Sequence, residues 1–144
     1  MNSASALVQF LGRDISLERI LCVGEATTDS PGSGEDWLLC LVTDDHGTWV
    51  EASMYAAGRN DALQWLSLAL GTSMEVKLAR APPFRSRIMW PPPLREEALF
   101  EYQISTLRRL FGRGLRRLGF PPRGSVQTVR PSVLESLRRS RLAV

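Results

Sequence analysis

The side chains best suited to nucleophilic or acid–base catalysis are few in this sequence, and their spacing does not bring them together. His46 is the only histidine, and it lies beside Asp44 and Asp45 in a predicted hairpin loop. Cys22 and Cys40 are the only cysteines, and each lies in an apolar run typical of a buried strand. A catalytic base must be oriented by a packed neighbour within reach of its nucleophile. We therefore interpret His46 as a loop residue and both cysteines as free thiols of a reducing compartment.

The usual signatures of metal, nucleotide and acid–base chemistry are also missing from the sequence. A zinc site takes about four Cys, His or carboxylate ligands, and two cysteines with one histidine at these spacings do not supply a usual set. There is no Walker A motif, no G-x-G-x-x-G after a strand and no G-x-S-x-G elbow. The adjacent carboxylates Asp44-Asp45 and Glu96-Glu97 are typical of a solvated surface. The sequence therefore predicts no catalytic, cofactor-binding or metal-binding residues, and it favours a protein that is not an enzyme.

Charge is distributed very unevenly along the 144 residues. Residues 1–107 hold 8 Lys or Arg and 14 Asp or Glu, a net charge of −6, whereas residues 108–144 hold 10 Arg and one Glu, a net charge of +9. The chain is therefore an acidic body followed by a basic arm. The arginines of the basic arm are Arg108, Arg109, Arg113, Arg116, Arg117, Arg123, Arg130, Arg138, Arg139 and Arg141.

The basic arm has several interpretations, which the sequence leaves open. It could be a solvated face, or it could pair with the protein's own acidic body. It could instead bind phosphate groups or an acidic partner, since arginine makes planar, bidentate contacts with both. A third interpretation is an amphipathic helix at a membrane surface, with Arg113, Arg116 and Arg117 on its polar side.

The first half of the chain predicts one helix followed by three strands. Apolar residues at 6, 7, 10 and 11, with Gly12 after them, predict a helix. Strands are predicted from Ile20 to about Thr28, over Trp37–Thr43 and over Thr48–Tyr55, with a hairpin loop at 44–47. The alternation of the third strand places Val50, Ala52 and Met54 on one side and Trp49 and Tyr55 together on the other.

The second half predicts a helix, two strands and a long helix. Asn60 is a suitable N-cap for a largely buried helix that ends at Gly71. Strands are predicted over residues 74–78, where apolar and charged residues alternate, and over residues 85–90. A helix is predicted from about Leu94. Its apolar seam, which serves either as a dimer contact or as core, is Phe100, Ile104, Leu107 and Phe111.

These elements predict an α+β fold of order α-βββ-α-ββ-α, in which an antiparallel sheet of about five strands is packed by helices. Residues 1–118 form the predicted domain, and residues 119–144 form a basic linker and a short helix that ends near Leu142. We expect deletion of residues 120–144 to leave the fold intact. No apolar run approaches the roughly 18 residues of a membrane span, and Met1–Leu11 lacks the features of a secretory signal, so we expect a cytoplasmic protein.

In element order the chain resembles the class I type III secretion chaperones of bacteria. The stretches that carry the resemblance, over about residues 4–110, are ALVQFLGRD, WLLCLVTDDHGTWVEASMY, NDALQWLSLALG, MEVKLARA and RIMWPPPLREEALFEYQISTLRRL. The resemblance implies a small cytoplasmic α+β protein, usually a homodimer, that holds the N-terminal segment of an effector along its surface. Members of that family lack a basic arm such as residues 112–144, so the resemblance does not explain the arm.

The sequence therefore favours a protein-binding module of the chaperone or adaptor type, with no cofactor. Its predicted contacts with a partner protein are Trp49, Tyr55 and Trp90, since outward aromatic side chains are typical of interfaces. One alternative is a nucleic-acid-associated protein whose basic arm contacts phosphates. Another is a small regulatory or immunity-type protein that blocks a single partner.

Overall fold

The computed structural model of the protein describes residues 3–28, 36–104 and 125–142, and within them three helices and six strands. The helices are α1 (Ser3–Leu11), α2 (Arg59–Leu70) and α3 (Pro131–Leu142). The strands are β1 (Cys22–Thr27), β2 (Trp37–Val42), β3 (Trp49–Ser53), β4 (Ser86–Trp90), β5 (Phe100–Ile104) and β6 (Ser125–Val129). The predicted α+β class is confirmed, and the order of elements is roughly the predicted one.

Four of the strands form an antiparallel sheet in the order β3-β2-β1-β4, and β5 pairs with β6 in a separate antiparallel ribbon. Gly24 of β1 lies opposite Cys40 of β2, and Cys40 in turn lies opposite Glu51 of β3. Every residue of β1 and β2 is buried. A strand buried on both faces requires a layer on each side of the sheet, which explains the two unbroken apolar runs in the sequence.

The two faces of the sheet bury two different sets of side chains. On the face that we call the helix face, Val23, Leu39 and Leu41 pack with residues of α1 and α2. On the opposite face, the ribbon face, Cys40 and Val42 pack with residues of β5, β6 and α3. Because successive residues of a strand point to opposite sides, neighbours in β2 belong to different cores.

The prediction that a long helix begins at about Leu94 is wrong for residues 94–104, and the rest of the predicted helix lies outside the described residues. Pro92–Leu94 forms a single 3-10 turn, and the chain then enters β5 at Phe100. The backbone amides of Leu99 and Phe100 both donate to Ser86 Oγ, which fixes the chain beside β4. Phe100 is buried on the ribbon face and Ile104 lies in β5, whereas Leu107 and Phe111 of the predicted seam lie outside the described residues.

The strand predicted over residues 74–78 is also absent from the sheet. β4 occupies the place beside β1, so this segment has no strand partner among the described residues. The predicted alternation survives, since Met74, Val76 and Leu78 turn toward the core of the helix face. The backbone amides of Lys77 and Leu78 donate instead to the side-chain carboxylate of Glu25. The alternating pattern of residues 74–78 therefore predicts their burial but not their hydrogen-bond partners.

Helix α2 begins earlier and is less buried than the sequence predicts. Gly58, not Asn60, is its N-cap, and its φ of 91° is the left-handed conformation that favours glycine. Only Ala62, Leu63 and Leu66 of the helix are buried. Leu68 is 75% exposed, so the prediction of a largely buried helix is wrong.

The C-terminal residues belong to the packed structure. The predicted short basic helix is confirmed as α3, which starts with Pro131, a residue well suited to the first helical position. Residues 125–129, predicted as part of a linker, form β6. Val133 and Leu137 of α3 are buried in the core of the ribbon face. The predicted domain boundary at residue 118 lies outside the described residues. Helix α3, however, contributes buried side chains to the core of the ribbon face and is not a separate extension.

Candidate functional site at the outer edge of the sheet

The three aromatic residues predicted to bind a partner lie in three separate places. Trp49 lies on the ribbon face of β3, with its ring centroid 4.9 Å from that of Phe100. Trp90 lies in β4, at the opposite edge of the sheet, and packs against the core of the helix face. Tyr55 is 54% exposed and lies beyond the end of β3. Because β3 ends at Ser53, the predicted alternation does not extend to Tyr55, and Trp49 and Tyr55 share no surface.

The outer edge of β3 is open to hydrogen bonding. Thr43 N donates to Thr48 O and Met54 N donates to Trp37 O, each over 2.9 Å. In an antiparallel pair, residues whose amides face the partner strand alternate with residues whose amides face away from it. The amides of Val50 and Ala52, which lie between Thr48 and Met54 at intervals of two, therefore face β2. The amides of Trp49 and Glu51 therefore face away from the sheet. Within residues 3–28, 36–104 and 125–142, no strand pairs with this side of β3.

A groove of about 480 Å³ continues from the end of β3. It is formed where the chain turns from β3 through Gly58 into α2, and its lining comes from this turn and from the first residues of α2. The residues that line the groove are Met54, Tyr55, Ala56, Gly58, Arg59, Asn60 and Asp61. The open edge of β3 and this groove together form the candidate site, which we call the β3 edge site.

Buried Trp37 supports the side chains that line the groove. The guanidinium of Arg59 lies 5.1 Å from the centre of the Trp37 ring, and Arg59 Nη1 donates to Met54 O over 3.2 Å. The ring of Tyr55 meets the Trp37 ring edge-on, with 5.6 Å between centroids. Partial desolvation, together with the charge and hydrogen bond of Asp36, raises the pKa of Tyr55. These contacts fix Arg59 and Tyr55 in place before any ligand binds.

The surroundings of the β3 edge site are acidic. Residues 36–61 contain five carboxylates and a single cation, Arg59, so their net charge is −4 with His46 neutral. Glu51 and Asp61 are exposed, and Trp49 Nε1 donates to Glu51 Oε2 over 3.2 Å. Like charges that lie close together produce a local potential that attracts ligands of the opposite sign.

Three of the four described arginines of the basic arm, Arg138, Arg139 and Arg141, contact carboxylates or a carbonyl of the protein itself. Arg138 Nη2 donates to Asp45 O over 2.9 Å, and Arg141 Nη1 lies 3.8 Å from Asp45 Oδ2. Arg139 pairs with Glu135 over 2.6 Å on the exposed face of α3. The contacts of Arg138 and Arg141 with Asp45 support the interpretation in which the arm pairs with the acidic body, whereas the pair of Arg139 and Glu135 lies within the arm. Six members of the predicted arm lie outside the described residues, namely Arg108, Arg109, Arg113, Arg116, Arg117 and Arg123.

A buried ion pair, which the sequence reading missed, lies on the helix face. Glu25 of β1 is fully buried, and its Oε2 lies 3.2 Å from Nη1 of Arg87 in β4. Arg87 Nη1 also donates to Glu75 O over 2.9 Å, and Arg87 Nε donates to both carboxylate oxygens of Glu96 over 3.0 Å. The network ties the unpaired segment 74–78 to the sheet. The signal in the sequence was the single carboxylate of Glu25 in the middle of an apolar strand.

Acid is expected to weaken the contribution of Glu96 to stability. The hydrogen bond from Arg87 holds the pKa of Glu96 below its ordinary value of 4.5. A carboxylate with a depressed pKa stabilises the folded state above its unfolded pKa, and this contribution is lost as the pH falls through the folded pKa. The urea-unfolding free energies of the wild type and Glu96→Gln should therefore converge below pH 4.5. Glu97→Gln controls for the change in net charge, and a constant difference between wild type and Glu96→Gln down to pH 3 would contradict the prediction.

The residues first considered for catalysis have structural roles. Cys22 and Cys40 are confirmed as buried free thiols, and burial raises the pKa of Cys22 to about 12 and that of Cys40 well above its ordinary value. Asp44 Oδ1 accepts hydrogen bonds from the amides of His46 and Thr48, which closes the β2–β3 turn. Within the described ranges, no group of three or more His, Cys, Asp or Glu is arranged to hold a metal ion.

None of the helices in the described part of the chain has the length and apolar character needed to cross a membrane. Comparisons of the chain with protein-family models, with curated proteins and with solved structures give no match. The function must therefore be inferred from the residues of the site itself.

Proposed function

We propose that this chain is a protein-binding module of the chaperone or adaptor type, which takes an extended segment of a partner protein as an additional strand beside β3. The observation that carries the proposal is the outer side of β3, which pairs with no strand of the described residues and leads directly into the groove. Addition of a strand to a sheet edge is a common mode of peptide recognition. In it, backbone hydrogen bonds provide affinity, and pockets for alternate side chains provide specificity.

The dimensions of the β3 edge site suit a short segment. β3 has five residues, which at about 3.4 Å per residue span about 17 Å. A partner strand along β3 would exchange hydrogen bonds with the outward backbone groups of Trp49 and Glu51. Residues of the partner beyond Ser53 would reach the groove, where Tyr55 and Arg59 are already fixed by Trp37. Backbone pairing and side-chain recognition would thus occur in one continuous site.

An exposed edge is otherwise a liability, because unpaired amides and carbonyls promote aggregation. Within β3 itself there is no proline, and Glu51 is the only charged residue. We therefore interpret the open edge as retained for a partner. Effector segments of the kind held by type III secretion chaperones are one form that this partner could take. The contacts of Arg138 and Arg141 with Asp45 make phosphate binding by these two arginines less favoured.

Glu51→Pro is expected to weaken peptide binding about tenfold without unfolding the protein. The substitution removes an outward amide, and proline is tolerated on an edge strand where its nitrogen faces solvent. Loss of one hydrogen bond together with steric exclusion corresponds to about 1.4 kcal/mol, or about tenfold in Kd. The probe is a decapeptide selected with the wild-type protein from a random library displayed on phage, and the measurement is fluorescence anisotropy.

Two further variants separate the contribution of the β3 backbone to binding from that of the Glu51 side chain. Glu51→Ala keeps the amide and should lose much less affinity than Glu51→Pro. Ala52→Pro removes an amide that faces β2, and it should disrupt the sheet in thermal unfolding. The proposal fails if the library yields no binder, or if the selected peptide binds Glu51→Pro as tightly as it binds the wild type. A homodimer of the free protein that Glu51→Pro dissociates would instead show that a second copy occupies the edge.

A further inference from the structure

We propose that the segment bound at the β3 edge site is basic and places an arginine or lysine side chain in the groove. This inference rests on the proposed function and specifies its ligand. The chemistry of the groove walls, the charge around the edge and an arginine contact within the molecule each support it.

The groove and its margin together hold two carboxylates, Asp36 and Asp61, and one cation, Arg59. Asp61 lines the groove and is exposed, and Asp36 lies beside Tyr55 at its margin. Arg59, the cation among the lining residues, is held by the ring of Trp37 and by Met54 O. A cationic side chain entering the groove would therefore meet two carboxylates and an arginine that is already held in place.

Tyr55 adds a surface on which a guanidinium can stack. Its ring is 54% exposed, and the edge-on contact with Trp37 holds it in position. A planar cation over the face of an exposed aromatic ring is attracted by the ring's quadrupole. Arginine combines this stacking with bidentate contacts to carboxylates, so arginine is preferred to lysine at this position.

The opposite end of β3 shows that this region already binds arginine. The turn that leads into β3 presents Asp45, which accepts a hydrogen bond at its carbonyl from Arg138 and lies 3.8 Å from Arg141. Carboxylates thus flank β3 at both ends, with exposed Glu51 between them. The two arginines of α3 contact Asp45 at the first end, and at the groove end the exposed carboxylate of Asp61 is available to a partner. Complementary charge of this kind mainly sets specificity and the rate of association.

Three decapeptides of the same alternating pattern test the inference on the full chain. They carry arginine, glutamine or glutamate at the variable positions, and binding is measured by anisotropy at low and at physiological salt. The arginine peptide should bind about tenfold more tightly than the glutamine peptide, the glutamate peptide should bind most weakly, and the preference should shrink as salt rises. Equal affinity for the arginine and glutamine peptides would overturn the inference.

Two double variants that remove the same charge show which part of the protein causes the preference for the arginine peptide. Asp36→Asn with Asp61→Asn should remove most of the preference for the arginine peptide while the affinity for the glutamine peptide changes little. Glu75→Gln with Glu97→Gln removes the same charge near β4, at the far edge of the sheet, and should leave the preference intact. If both double variants lose the preference for the arginine peptide equally, the preference depends on the net charge of the protein alone. That result would contradict a binding site in the groove.

The failure of this inference is distinguishable from the failure of the proposed function. If the phage-selected decapeptides are sensitive to Glu51→Pro but carry no excess of arginine or lysine, the partner pairs with β3 and is not basic. If the library yields no binder, or if the selected decapeptide binds Glu51→Pro as tightly as it binds the wild type, the proposed function itself fails.

Discussion

Arg87→Ala is expected to lower the free energy of unfolding by about 3–5 kcal/mol, the usual cost of removing one partner from a buried ion pair. The substitution leaves the carboxylate of Glu25 fully buried without its cation, and it also removes the donor to Glu75 O. A loss of this size is a large part of the stability of an ordinary domain. Urea unfolding followed by tryptophan fluorescence measures it directly.

A double variant shows whether the uncompensated charge causes the loss. Glu25→Gln combined with Arg87→Met removes both charges, and the glutamine oxygen can still accept hydrogen bonds from the amides of Lys77 and Leu78. The double variant should therefore be more stable than Arg87→Ala. If it is less stable, the network contributes through packing rather than through charge.

Removal of α3 is expected to abolish cooperative unfolding. The expectation from the sequence alone was that residues 120–144 are dispensable, but Val133 and Leu137 complete the core of the ribbon face. A chain that ends at Arg130 would expose that core to water. Leu137→Ala alone should cost about 2–5 kcal/mol, whereas Arg139→Ala, at an exposed position, should cost about 0.5 kcal/mol or less. If calorimetry shows that the truncated chain unfolds as cooperatively as the wild type, residues 131–144 are dispensable for folding and this prediction is contradicted.

The sequence predicted elements whose pattern is local and missed those whose pairing is distant. β2 and its hairpin with β3 follow from an apolar run, a turn motif and an alternating run that are adjacent in the chain. The stretch from Phe100 to Ile104 fits periods of both two and four. It forms a strand because it pairs with β6, which lies far along the chain, and because Ser86 holds the amides of Leu99 and Phe100 beside β4.

The candidate site was predictable only in part. The sequence identified Trp49 and Tyr55 as outward aromatic residues, but their separation depends on where β3 ends. Neither the groove nor the support that Trp37 gives to Arg59 has a local signature, because these two residues lie on different elements. The Glu25–Arg87 pair joins positions 62 residues apart. A single sequence indicates that a buried carboxylate needs a partner, but it does not indicate which arginine provides it.

The exchange rates of the β3 backbone amides, measured by NMR with and without a phage-selected decapeptide, test the proposed strand addition most directly. The amides of Val50 and Ala52 already donate to β2, so they should exchange slowly in both states. The amides of Trp49 and Glu51 should exchange rapidly in the free protein and slowly in the complex. Unchanged exchange at Trp49 and Glu51 when the decapeptide is bound would contradict the account, because the peptide would then bind without pairing with β3.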